Sequence, residues 1–355
     1  MSLPSGLNNL AKLTLLASDE SYFSSEFPVL EGSLLQPLPD TPSYNLFPQF
    51  DIVQARSFHE DKQETIDATG FKFIAFKNVE TNEVIVAFGG TDGLNAQDWA
   101  ANVEHLGWNQ WENGGRTAVF NYLSSLRNAD GNPFTGKIHF TGQSLGGALA
   151  QYAAYEYVQD QQRIATANNT TFDPSRITLM TFNAFGGQLA LQQNSPGFNP
   201  TILTGLGASA HFVIDGDLVS RLGVGHVGGP VYQLDYVSTR INPDTGQPYF
   251  LDLIDGHRIE TGFYANVAPL EAFDEARQLT PTEVSAYYLP MASLQKVSGL
   301  LGNILNGKDV SPLESVPRLY AGLSAGLAFG NQTELNTLVQ AVLKAMSLRL
   351  GLMNM

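Results

Sequence analysis

The chain contains no cysteine. That absence excludes disulfide staples, thiolate nucleophiles and cysteine-ligated metal centres. Charge is also sparse: Asp, Glu, Lys and Arg together make up 15% of the residues, and the balance leans acidic, 34 against 19, for a formal charge of −15. An acidic surface opposes the phosphate neutralisation on which nucleic-acid binding depends, so no nucleic acid is expected as a partner. Long uncharged apolar runs free of glycine are missing as well, which argues against a transmembrane helix. The start, "MSLPSGLNNLAKLTLLASDESYF", carries Lys12 as its one basic residue and has no small-residue cleavage site. It reads as an amphipathic helix rather than a signal peptide, so the product is expected to be cytoplasmic, or secreted without a cleaved leader.

The 355 residues, 43% of them apolar, suffice for one large α/β domain or a main domain with an appendage. A proline-rich connector follows the first helix. "FDIVQARSF", "GFKFIAF" and "NEVIVAFGG" then read as strands, the last two joined as a hairpin through "KNVETNE". "GGRTAVFNYLSSL" has helical spacing of its apolar residues, and "KIHFT", "RITLMTFNA" and "ASAHFVI" read as further strands. Between the first two of these lies a helix, "LGGALAQYAAYEYVQDQQ". Strands alternating with helices predict a mostly parallel central sheet flanked by helices. Beyond residue 265 the strand pattern fades and helix-like segments dominate. The chain is therefore divided into an α/β domain with an N-terminal helix over residues 1–265 and a helical C-terminal cap or extension over residues 266–355.

Gly142-Gln143-Ser144-Leu145-Gly146 fits G-x-S-x-G, and its context, a strand before and a helix after, is the one this motif requires. A sharp strand-to-helix turn would hold Ser144 in a strained conformation at the carboxyl edge of the sheet, with small neighbours keeping the chain clear. The helix amino terminus and the Leu145 N–H would then favour a developing oxyanion. A serine N-cap on a glycine-rich turn is the plainer alternative.

With "TGQSLGGALA" the chain resembles the class 3, fungal-type lipases of the α/β-hydrolases, which include bacterial lipases and phospholipases A1. Gln143 stands where that family usually has histidine. Upstream, "VAFGGTDGLNAQDWAANVE" is similar to the family's "FRGT" segment and its following D-W pair. By that match Thr91 supplies the second oxyanion N–H beside Leu145, and Gly89 takes the place of the family's arginine. "HFVIDGDLVSRLG" ends a strand with two aspartates; the similarity of "DLVSRL" to the family's "DPVPRLP" selects Asp217 as the acid, with Asp215 as the fallback. His226, in "GHVGGPVYQLD", matches a family histidine that is not catalytic. His257, in "LIDGHRIETGFY", lies near the family's catalytic histidine and is the expected general base. The resemblance covers roughly residues 50 to 265.

It implies an α/β-hydrolase that cleaves lipid carboxylic esters, triacylglycerols or phospholipids at the A1 position, through Ser144, His257 and Asp217 and an acyl-enzyme. No metal or organic cofactor takes part in that scheme. The expected partner is a lipid ester at an interface, with transient contact to a membrane or lipid surface; the oligomeric state stays open. Trp99 and Trp108 are candidates for substrate contact, and with Leu94, Leu106 and Trp111 they could equally be core. The oxygen-rich "NADGNPFTG" and "NPDTGQP" lack the ligand series of a calcium loop and read as turns. An esterase for small soluble esters and an inactive hydrolase-fold binding module remain the alternatives.

Overall fold

Eight strands form one sheet in the computed structural model, and they lie side by side in sequence order. The structure describes residues 5–23, 34–35, 57–66, 68–90, 107–215, 217, 219–221, 223–234, 263, 273 and 276–288. Strands β1 (His59–Ile66), β2 (Phe71–Asn78) and β3 (Glu83–Phe88) run as an antiparallel meander. From β3 through β4 (Lys137–Gln143), β5 (Ile177–Phe182), β6 (Ala208–Ile214) and β7 (Val231–Leu234) every pairing is parallel. A short β8 (Arg277–Gln278) closes the far edge antiparallel to β7.

Parallel strands need helical crossovers, which cover both faces and demand apolar side chains on each. The sequence meets that demand: all six residues of β5, "ITLMTF", are buried, and so are Val84 to Phe88 of β3. One face holds α2 (Arg116–Ser125) and α3 (Ser144–Ala167), packed on Phe71, Phe73, Phe88 and Phe140. The other carries α1 (Ser5–Phe23), packed against Ile74, Phe76, Ile85, Met180 and Phe182. Alternation along β2, with Phe71 and Phe73 to one side and Ile74 and Phe76 to the other, is the period-2 signature of a strand buried on both faces. Among the described residues no helix is long and apolar enough to cross a membrane.

The α/β architecture with a mostly parallel sheet is thus as the sequence predicts, as are the β2–β3 hairpin and the three strands read downstream. Three elements differ. Helix α1 is not amphipathic in its setting, because every residue from Leu13 to Ser21 is buried, including Ser18, Asp19, Glu20 and Ser21. The Thr141 hydroxyl on β4 donates to the Thr14 carbonyl at 3.1 Å and ties this helix to the sheet. Strand β1, "HEDKQETI", is too polar to show an apolar period; it stands at the end of the strand order, antiparallel to β2, where a strand need not be apolar. Strand β8 is only two residues long and carries no pattern, yet it joins residues 276–288 to the same sheet as the motifs upstream.

His139 sits on the α1 face of β4, 4% exposed, with Nδ1 bonded to the Thr178 hydroxyl at 2.7 Å. Burial pushes its pKa down to about 4, with Glu83 opposing and Lys137 adding to the shift. A folded pKa below the unfolded value means that the unfolded chain binds the proton first, so stability is present above the unfolded pKa and lost as the pH falls through the interval. The thermal midpoint is therefore expected to fall as the pH drops from roughly 6.5 toward about 4, and less steeply in His139→Met. Equal steepness in both proteins would contradict this account.

Candidate active site

Ser144 is the hinge between β4 and α3, and its backbone has φ 57°, in the left-handed region. That conformation costs a residue with a Cβ roughly 1–2 kcal/mol, so the surroundings must enforce it. They do so by close approach. A Cβ on Gly146 would lie 2.1 Å from the Phe88 carbonyl oxygen, one on Gly142 would lie 2.3 Å from the Gly146 backbone, and one on Gly147 would lie 2.3 Å from Ala184 Cβ. The glycines of the motif are the clearance that lets α3 start against the ends of β3 and β5. The Phe185 N–H donates to the Ser144 carbonyl at 3.2 Å and fixes the elbow from the β5 side.

The turn leaves Ser144 8% exposed at the carboxyl edge of the sheet. The first N–H groups of α3 have no intrahelical acceptor, and the N-cap residue Gln143 makes no side-chain cap bond. The Leu145 N–H thus belongs to an electropositive helix terminus beside the hydroxyl. The Leu145 side chain is fully buried against Gly107, where a Cβ would lie 2.6 Å from Leu145 Cδ1.

Gln151, seven residues along the same helix, holds the floor together with one carboxamide. Its Nε2 donates to the Gly147 and Phe185 carbonyls at 3.1 and 2.8 Å, and its Oε1 accepts from the Gly187 and Val227 N–H groups at 3.0 and 3.1 Å. This one side chain joins the elbow helix to the loops after β5 and before β7. A glutamine in the otherwise apolar first turns after the elbow, Leu145 to Ala154, is the only sequence signal for it.

Of the two aspartates after β6, Asp217 is buried at 1% exposure, whereas Asp215 is exposed and pairs with Gln233 at 2.7 Å. The Asp217 N–H donates to the Ile214 carbonyl at 3.1 Å, and its carboxylate Oδ2 accepts the Ser220 N–H at 3.1 Å. Burial and a fixed donor suit an orienting carboxylate better than a solvated turn residue.

The described histidines are otherwise engaged. His226 donates from Nε2 to the Ala184 carbonyl at 3.1 Å and accepts the Tyr288 hydroxyl proton at Nδ1, leaving no lone pair for a serine proton. Burial lowers its pKa to about 4, with the Ala184 carbonyl opposing. His211 donates from Nε2 to the Val227 carbonyl at 3.0 Å and meets the Thr181 hydroxyl at Nδ1, 2.8 Å away. His139 lies on the α1 face and His59 on the edge strand β1. His257, Thr91, Trp99, Leu94 and Leu106 lie outside the described residues.

Trp108 and Trp111 take the core role that the sequence left open for them. Trp108 is 7% exposed, stacks edge-on against Tyr152 at 5.2 Å and donates to Glu112 at 3.1 Å. Trp111 is fully buried and donates to Glu156 at 3.0 Å, which also pairs with Arg116 at 2.6 Å. Among the described residues no group of three or more acidic or histidine side chains is arranged to hold a metal ion. The Asp130 carboxylate, in "NADGNPFTG", is occupied by the backbone and side chain of Asn132 at 3.0 and 2.8 Å, a closed local turn. "NPDTGQP" lies outside the described residues.

The missing arginine at position 89 has a steric reason. Lys72, on β2, is 2% exposed, and its Cε, Cγ and Cδ would lie 2.3, 2.5 and 2.8 Å from a Cβ at Gly89. The lysine stem fills the space that a side chain on Gly89 would need.

Residues 60–222 match the family Lipase (class 3). No curated protein matches the chain significantly. Solved structures similar to it include the triacylglyceride lipase of Rhizomucor miehei, 15% identical with a TM-score of 0.43 over 66% of this chain and 82% of that one. A lipase from Rhizopus microsporus var. chinensis is 15% identical, TM-score 0.43, over 66% of this chain and 76% of its own. A mutant form of a Penicillium cyclopium protein is 17% identical, TM-score 0.47, over 71% and 95% respectively.

The clearance argument makes Gly146→Ala a sharp test. The added methyl meets a backbone carbonyl that cannot swing away, so the elbow must shift by a substantial fraction of an ångström. Ester turnover is expected to fall about a hundredfold, the scale for misplacing a reacting group, in protein that still shows a cooperative melt. Unaltered turnover in Gly146→Ala would show that the tight approach to Phe88 does not set the position of Ser144.

Proposed function

We propose, on the premise that residues 60–222 belong to the class 3 lipase family, that the chain hydrolyses lipid carboxylic esters through Ser144, His257 and Asp217. The observation that carries this reading is the strained Ser144 backbone at φ 57° on a strand-to-helix turn of G-x-S-x-G sequence, the arrangement that presents a nucleophilic serine. The Ser144 oxygen attacks the ester carbonyl carbon while His257 takes the hydroxyl proton. The carbonyl electron pair moves onto oxygen, where the Leu145 and Thr91 N–H groups hold it. Collapse of this intermediate breaks the bond to the alcohol oxygen, which leaves with the proton from His257. Water then repeats the sequence on the acyl-enzyme and releases a fatty acid. Asp217 orients His257 and stabilises its charged form.

Support for His257 as base comes from the class 3 lipase resemblance and from the other histidines among the described residues. His211 and His226 have both ring nitrogens bonded, and His139 and His59 are placed away from the carboxyl edge of β4. Thr91 follows Gly89 and Gly90 at the end of β3, the strand beside the elbow. The substrate is a long-chain ester, triacylglycerol or a phospholipid cleaved at the A1 position, met at a lipid surface during turnover.

Two readings differ in their response to an interface. For a lipid hydrolase, the rate with a long-chain p-nitrophenyl ester continues to climb as substrate passes its solubility limit; for an esterase of small soluble substrates, it saturates below that limit and short chains are preferred. Ser144→Ala is expected to lower turnover by about 10⁴-fold or more in either case, without changing the melting temperature by more than a few degrees. Turnover that survives in Ser144→Ala, or a folded wild-type protein that no serine-directed fluorophosphonate labels, would remove the enzyme reading and favour a binding module.

A further inference from the structure

The family match ends at residue 222, yet the loop that bears Asp217 is completed from further along the chain. Ser220 holds Asp217 twice: its N–H donates to the carboxylate Oδ2 at 3.1 Å, and its hydroxyl donates to the Asp217 carbonyl at 3.3 Å. The same hydroxyl oxygen lies 2.5 Å from the phenol oxygen of Tyr287. A serine has one hydroxyl proton, already given to the carbonyl, so the phenol is the donor in this contact. Burial above all, and then the Asp217 charge, raises the Tyr287 pKa, which keeps the phenol protonated. Asp217, Ser220 and Tyr287 are 1%, 0% and 7% exposed, so water does not substitute for any member of the chain.

Tyr287 is delivered by α4 (Pro281–Tyr287), which has its own supports. Strand β8 pairs with β7 just before it, and a capping box sets its start, with the Thr280 hydroxyl accepting the Glu283 N–H and the Glu283 carboxylate accepting the Thr280 N–H. The Arg221 guanidinium lies 5.1 Å from the centre of the Tyr287 ring, against the same loop as Asp217. The ring packs with Val213, Val231 and Leu279. The hydroxyl is therefore separable from the ring: the ring fills the core, and the hydroxyl alone reaches Ser220.

We infer that Tyr287, acting through Ser220, is a positioning residue for the Asp217 carboxylate, so that the catalytic unit extends beyond the family-matched segment to α4. The inference rests on the reading of Asp217 as the acid of the triad. Tyr287→Phe removes the donor and keeps the ring. Ser220→Ala removes the intermediate hydroxyl and keeps the N–H bond to the carboxylate.

The test uses the full chain and a p-nitrophenyl ester, with the rate of Ser144 labelling by a fluorophosphonate as a second readout. Each single variant is expected to lower kcat and the labelling rate about tenfold, a fraction of the loss from a fully misplaced group, with KM within about twofold. Because both act through one chain of bonds, the double variant is expected to be no slower than the worse single one. Folded Tyr287→Phe and Ser220→Ala with wild-type kcat and labelling rate would overturn the inference, as would multiplicative losses in the double variant. Asp217→Asn separates the two levels of failure. A loss of about 10⁴-fold there alongside unaffected Tyr287→Phe and Ser220→Ala sinks only the positioning role, whereas retained activity in Asp217→Asn sinks the triad reading and this inference with it.

Discussion

Everything in the site hangs on one steric constraint: α3 begins within touching distance of the ends of β3 and β5. The Phe88 carbonyl leaves no room for a Cβ at Gly146, and Ala184 leaves none at Gly147. With the helix seated that closely, the chain leaves β4 through a left-handed residue, Ser144. The strain on Ser144 and the placing of the α3 amino terminus beside its hydroxyl are two outcomes of the same close seat. Gln151 then fastens the seat with four hydrogen bonds to the elbow helix and two loops.

The sheet explains why the proposed site residues arrive where they do. In parallel strands the carboxyl ends lie on one edge, and residues that follow different strands meet there whatever their distance in sequence. Ser144 follows β4, Asp217 follows β6, and the Gly89-Gly90 turn follows β3, the neighbour of β4. The side chains that hold them come from elsewhere. Lys72 reaches over Gly89 from the antiparallel strand β2, and Tyr287 reaches Ser220 from α4, 67 residues on.

The elbow is legible in the sequence because glycines at fixed spacing around a serine, between an apolar run and an alanine-rich helix, encode backbone clearance directly. The choice of Asp217 over Asp215 is legible only through resemblance, since two aspartates in a turn look alike; burial of one and exposure of the other distinguishes them in the structure. Strand β1 escapes a pattern search because an edge strand need not be apolar, and β8 because two residues have no period. The polarity of α1 misleads for the opposite reason: Asp19, Glu20 and Ser21 are polar yet buried, a consequence of packing that no local rule contains. Gln151, Ser220 and Tyr287 are invisible for a related reason, since their roles depend on partners 34, 36 and 76 residues away for Gln151 and 67 residues away for the serine–tyrosine pair.

The most direct test is a crystal structure of the full chain after reaction with a long-chain alkyl phosphonate, whose tetrahedral phosphorus stands in for the attacked carbonyl carbon. The account predicts a covalent bond to Ser144 Oγ, a phosphonyl oxygen within hydrogen-bond distance of the Leu145 N–H, and His257 between Ser144 and Asp217. An adduct on another residue, or one on Ser144 with its oxygen turned away from the start of α3 and Asp217 facing no histidine, would contradict it.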